Sequence, residues 1–141
     1  MGNKRMNWTL LISIAAVLAL IILVQAYRLF SGGPSISQAR LLELMKQPSA
    51  VRILDVRSTK EYKSGHIPGA LHIGFREIST HLDQLRPDAD NEIVVYCEMG
   101  PRARIAQRTL LKAGFSNVVH LSGDMSAWRK AGLPTETKQN R

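Results

Sequence analysis

The stretch VVYCEMGPRARIAQ, residues 94–107, holds the only cysteine of the chain. Cys97 stands where a run of β-branched residues gives way to a turn, and Glu98, Met99, Gly100 and Pro101 separate it from Arg102, where a helical pattern begins. A loop this short between strand and helix can turn several backbone N–H groups toward one centre and form an anion nest. The helix N-terminus adds about half a positive charge, and Arg102 in the first turn would add a full one. Pro101 withdraws one N–H from the nest, because proline has none. These features favour a thiolate over a thiol. Cysteines in such settings ionise at roughly 3.5–7.5, against about 8.5 for a free thiol. The chemistry this implies is nucleophilic. The bland alternative is a cysteine that merely ends a buried strand.

Loop length narrows the chemistry. Cysteine-dependent phosphatases place their arginine one position later than Arg102, and that position here is Ala103. The loop from Cys97 to Arg102 is therefore sized for something smaller than phosphate, such as a sulfane sulfur. Glu98 sets a carboxylate beside the nucleophile, where it would oppose the thiolate. No second cysteine exists to resolve an intermediate within the chain. A single thiol also rules out an internal disulfide and any multi-thiolate zinc site. His66, His72, His81 and His120 show no metal-ligand spacing. No metal and no organic cofactor is expected.

The elements that must hold this loop alternate along the chain. Ser37 caps a helix carrying Leu41, Leu42 and Met45, which Pro48 ends. VRILDV reads as a strand, KEYKSG as a short helix stopped by Gly65, and HIPGALHI as a turn into a short strand. FREISTHLDQL has helical spacing. EIVVY is a continuous apolar strand suited to the middle of a parallel sheet. Residues 102–113 form an amphipathic helix with Ile105, Ala106, Thr109 and Leu110 inward. NVVHL is a further strand, and DMSAWRKAG a last helix with Trp128 in the core. Strands alternating with helices predict an α/β layer fold with a parallel sheet. Cys97 then lies at the carboxyl edge of a central strand, where such folds gather their sites.

At this point a resemblance becomes specific. LDVRSTKEYKSGHIPGALHI, YCEMGPRARIAQRTLLKAGF and GFSNVVHLSGDMSAW followed by AGLP are similar, in order, to the signatures of the rhodanese-like domain, the fold of thiosulfate and related sulfurtransferases. The resemblance implies a three-layer domain over residues 37–134 with a central parallel sheet flanked by helices. It implies that Cys97 carries a persulfide, that Glu98, Met99, Gly100, Pro101 and Arg102 cradle the sulfur, and that Asp55 and Arg57 brace the loop by charge pairing. The implied partners are a small sulfur donor and a thiol or protein acceptor. Asp124 departs from the signature, which usually has glycine there, and is expected to bear on a turn only. A second reading stays open: a non-catalytic or regulatory binding module of the same fold.

The first thirty residues differ from the rest. WTLLISIAAVLALIILV carries no charge, and with QAY it reaches a length that spans about 30 Å, the thickness of a bilayer core. Trp8 and Tyr27 stand at its ends, where such rings prefer the lipid boundary. The expected organisation is a transmembrane anchor at about residues 8–27 within 1–30, a linker at 31–36, the domain, and a flexible tail at 135–141. A cleaved signal peptide ending at VQA is the alternative. Lys4 and Arg5 compete with Arg28 and Arg40, so the positive-inside rule names no winner. The domain is placed on the cytoplasmic side because small thiols abound there.

The net charge of +8 falls to +5 once Lys4, Arg5 and Arg28 are set aside. No nucleic-acid fold signature accompanies it, and no nucleic-acid partner is expected. Arg104, Arg108 and Lys112 recur every four residues and form a stripe on the helix after the loop. The stripe reads as a solvated face, or alternatively as a surface that steers anionic donors or contacts lipid.

Overall fold

The computed structural model describes residues 7–30 and 33–137. Lys4 and Arg5, the first half of the SGGP linker and the last four residues lie outside this range. The chain divides into two units, 1–32 and 33–141.

The first unit is helix α1, Trp8–Phe30. Its apolar window, Trp8–Gln25, has no buried residue and is long and apolar enough to cross a membrane. It is apolar on every side, which a helix in water avoids.

The second unit is built on five parallel strands. They are β1 (Ser35–Ile36), β2 (Val51–Asp55), β3 (Leu71–His72), β4 (Glu92–Tyr96) and β5 (Val118–Leu121), ordered β1-β5-β4-β2-β3. β4 is central, as its unbroken apolar run requires: both of its faces are covered. Alternation sorts its side chains. Ile93 and Val95 enter one core with Leu110, Ala106 and Phe115, while Val94 and Tyr96 enter another with Leu41, Met125 and Trp128. Cys97 keeps the parity of Ile93 and Val95, so its side chain falls into the first core. Helices cover both faces. They are α2 (Gln38–Met45), α3 (Thr59–Ser64), α4 (Leu82–Leu85), α5 (Pro101–Lys112) and α6 (Asp124–Lys130).

Local chemistry sets the helix ends. Ser37 accepts the Arg40 amide and caps α2. Ser58 and Glu61 form a reciprocal capping box on α3. Pro101 occupies the first turn of α5, where a missing N–H costs nothing.

Four expectations need correction. The linker does not extend to residue 36: Ser35 and Ile36 pair with His120 and Leu121 as an edge strand. FREISTHLDQL is not one helix but a 3-10 turn at Ile78–Thr80, then α4, then a second 3-10 turn at Arg86–Asp88. The Thr80 hydroxyl and the His81 ring both engage the Glu77 carbonyl, a local competition that interrupts helices. On α5, Ile105 is exposed, and the buried residues are Ala103, Ala106, Gln107 and Leu110. Gln107 belongs inside because its amide donates to the carbonyls of Pro34 and Val118, tying β1 to β5. Finally, the tail is not free from residue 135. Glu136 bridges His66 antiparallel through both backbone bonds, at 2.9 Å each.

Candidate active site

Asp55 ends β2, Cys97 follows β4 and Asp124 opens α6, with Ser122 and Gly123 between it and the end of β5. All three stand at the carboxyl edge of the sheet, where parallel strands deliver them side by side. The Asp55 backbone is in register with Tyr96.

Cys97 is completely buried. Its sulfur accepts the Gly100 N–H at 3.0 Å. Gly100 has φ of 113°, a region that side chains resist, and this allows the chain to double back over the sulfur before α5 begins. The loop residues diverge in exposure. Met99 is 79% exposed, Pro101 is exposed, and Glu98 and Arg102 are half-buried.

The sequence places Arg102 against the sulfur as a lone cation. The structure gives it a partner that the sequence reading missed. Its two terminal nitrogens donate to both oxygens of Glu61, each at 2.8 Å. Glu61 also accepts the Ser58 amide and hydroxyl. The Arg102 guanidinium holds the Glu61 carboxyl well below the usual carboxylate range, and the Ser58 bonds add to it. In return Glu61, then the Cys97 sulfur, raise Arg102. The positive charge near the loop is thus shared with a carboxylate from α3.

Asp55 and Arg57 form a buried pair. Arg57 donates from Nη2 at 2.7 Å and from Nε at 3.1 Å, and its own amide reaches Oδ1 at 2.9 Å. Burial works most strongly against the guanidinium, but the bonds to Asp55 together with the charges of Asp55, Tyr96 and Glu98 outweigh it and raise its pKa. The Tyr96 hydroxyl donates to Asp55 at 2.6 Å, and burial followed by the Asp55 charge pushes that phenol far up. Arg57 continues to the Gly65 carbonyl at 2.7 Å and to Glu98 at 3.3 Å.

Glu98 therefore does not stand as a bare charge opposing the sulfur. Its carboxylate pairs with Arg57 on one side and with Arg129 of α6 on the other. Arg57, Glu61, Glu98, Met125 and Arg129 line a cavity of about 360 Å³. Arg129 escaped the sequence reading because only the fold brings α6 beside the loop.

Asp124 is also more than a turn residue. It is buried, its Oδ1 accepts the Cys97 amide at 2.8 Å, and its Oδ2 meets Nε2 of His120 at 2.9 Å. A charged residue at a glycine position was the one signal available in the sequence. The basic stripe, Arg104, Arg108 and Lys112, is exposed. Among the described residues no cluster of His, Cys, Asp or Glu is placed to hold a metal.

The comparisons with known proteins agree with this architecture. Residues 37–131 match the family model of the rhodanese-like domain. The Bacillus subtilis protein YrkF is 34% identical over 95 residues, covering 67% of this chain, which spans about half (50%) of that relative's length. The chloroplastic thiosulfate sulfurtransferase 16 of Arabidopsis thaliana is 36% identical over 100 residues, with 60% of this chain and 79% of the relative covered. The crystal structure of thiosulfate sulfurtransferase from Pseudomonas aeruginosa superposes with a TM-score of 0.71 at 30% identity, over 84% of this chain and 22% of that one. A parallel sheet in this strand order, a cysteine doubled back on at the end of its central strand, and the family model over two thirds of the sequence lead to one statement: this chain belongs to the rhodanese-like domain family.

Proposed function

We propose that the protein is a membrane-tethered sulfurtransferase that moves a sulfane sulfur from a donor to a thiol acceptor through a persulfide on Cys97. The observation that carries the reading is the bond from the Gly100 N–H to the Cys97 sulfur at 3.0 Å at the head of α5. A donor N–H aimed at sulfur stabilises negative charge there, and a stabilised thiolate is what a covalent sulfur carrier needs.

The reaction starts from the Cys97 thiolate. The thiolate attacks the outer sulfur of the donor, an S–S bond forms, and the donor's own bond to that sulfur breaks. Its electron pair leaves with the donor, as sulfite from thiosulfate or as a thiolate from an organic persulfide. An acceptor thiolate then attacks the outer sulfur of the Cys97 persulfide. The bond to Cys97 breaks, its electron pair returns to Cys97 as thiolate, and the acceptor departs as a persulfide. Glu98, Met99, Gly100, Pro101 and Arg102 form the loop around this sulfur, with Asp55 and Arg57 bracing Glu98 from behind. The cavity lined by Glu61, Glu98 and Arg129 opens beside the loop through Glu98. Helix α1 anchors the domain in a bilayer, on the cytoplasmic side where acceptor thiols are plentiful.

The complete burial of Cys97 favours a second reading, a binding module in which the sulfur is never engaged. One experiment separates the two. The full chain is incubated with thiosulfate or with an organic persulfide, and its intact mass is read. One added sulfur that a Cys97→Ser variant fails to acquire supports transfer. An unchanged mass with both donors leaves the binding module.

A further inference from the structure

Asp124 has φ of 53° and follows Gly123 at 81°. Only glycine enters this left-handed region freely; aspartate does so at a cost. A glycine at 124 would remove that strain, so the side chain must contribute something a glycine lacks. Both carboxylate oxygens are engaged and the residue is buried: Oδ1 accepts the Cys97 amide at 2.8 Å and Oδ2 meets His120 at 2.9 Å. The next amides on the same turn close on the loop as well. Met125 N–H donates to the Cys97 carbonyl at 3.0 Å and Ser126 N–H to the Glu98 carbonyl at 3.2 Å. A Cβ built on Gly100 would lie 3.5 Å from Asp124 Oδ2 and 3.9 Å from His120 Cε1. The carboxylate and the imidazole therefore also back the residue whose N–H reaches the sulfur.

We infer that Asp124 is a positioning residue for the nucleophile: supported by His120, it fixes the Cys97 backbone so that the sulfur stays on the Gly100 N–H. Asp124 does not touch the reacting sulfur. It acts through the main chain, and strain held at the turn is the mark of that role. The kinetic test rests on the sulfur-transfer reading; a second measurement does not.

The full chain is compared with Asp124→Gly, which tolerates the backbone but has no acceptor, and with Asp124→Asn, which keeps one. Donor concentration is varied in sulfur loading. In Asp124→Gly the maximal loading rate falls about tenfold or more while KM stays within about threefold, because a displaced nucleophile loses rate steeply and the cavity is untouched. Asp124→Asn recovers most of the rate. Loading by Asp124→Gly at the wild-type maximal rate, or an equal loss in Asp124→Asn, overturns the inference. Hydrogen exchange of the Cys97 amide is measured in parallel. Protection that drops about tenfold in Asp124→Gly and persists in Asp124→Asn supports the brace; unchanged protection in Asp124→Gly overturns it. If the wild type loads no sulfur at all, sulfur transfer fails, and the exchange comparison still decides the brace.

Discussion

Glu61 of α3 grips Arg102 of α5 through two parallel bonds of 2.8 Å. The same carboxylate closes the capping box with Ser58. One side chain thus caps the start of one helix and tethers the first turn of another. Both partners are about a third exposed, so the pair is worth less than a buried one. Replacing Glu61 with alanine is expected to cost about 1–2 kcal/mol, most of it from the cap, measured by urea unfolding.

The same pair predicts a pH dependence. The Glu61 carboxyl is held below its ordinary value when folded. Unfolded, it titrates near about 4.3. Its contribution is therefore complete above about pH 5 and declines as the pH falls through and below that unfolded value toward the folded one. Unfolding measured from pH 7 down to pH 3 should show wild type losing stability faster than Glu61→Gln, and the two curves should approach each other at the acid end. Parallel curves would contradict the pairing.

Arg57 is 1% exposed and Asp55 wholly buried. Removing the cation strands a buried carboxylate, which costs about 3–5 kcal/mol in comparable sites. Arg57→Met should lower unfolding free energy by about that amount. Tyr96→Phe should cost less, about 1–3 kcal/mol, because Asp55 keeps its arginine while the Ile67 amide loses its acceptor.

Glu98 lies between Arg57 and Arg129. Glu98→Gln removes a negative charge from the cavity wall and frees Arg129, while Arg57 stays on Asp55. Loading from thiosulfate, a dianion, should then accelerate several-fold at low ionic strength, and the gain should shrink toward 0.5 M salt as screening shortens to a few ångströms. Loading from an uncharged donor should not change. An equal gain with both donors would point to loop loosening rather than charge.

Helix α1 is apolar and uncovered across residues 8–25. An arginine at the centre of such a span costs about 2.5–3.5 kcal/mol on insertion scales. Leu18→Arg should shift the chain from the carbonate-resistant membrane fraction to the supernatant. Intact mass of the membrane-bound wild type should include residues 1–26; loss of those residues would identify a cleaved signal instead of an anchor.

The alternation of strands with helices from β2 onward, the central place of EIVVY, the cap at Ser37 and the burial of Trp128 were legible in the sequence. Each depends on neighbours within a few positions: alternation along a strand, a capping side chain three residues from its amide, an unbroken apolar run. The same holds for Cys97 in its loop, since the glycine and proline that turn the chain are adjacent to it. What tertiary structure alone decided are pairings across long separations. Glu61 meets Arg102, Glu98 meets Arg129, Asp124 reaches back to the Cys97 amide, and Glu136 fastens to His66. Local patterns carry no information about which charges a parallel sheet will bring to one edge. Ile105 and Gln107 teach the same lesson on a smaller scale. Helical periodicity defines a face, but the Pro34 and Val118 carbonyls decided which polar side chain that face would bury.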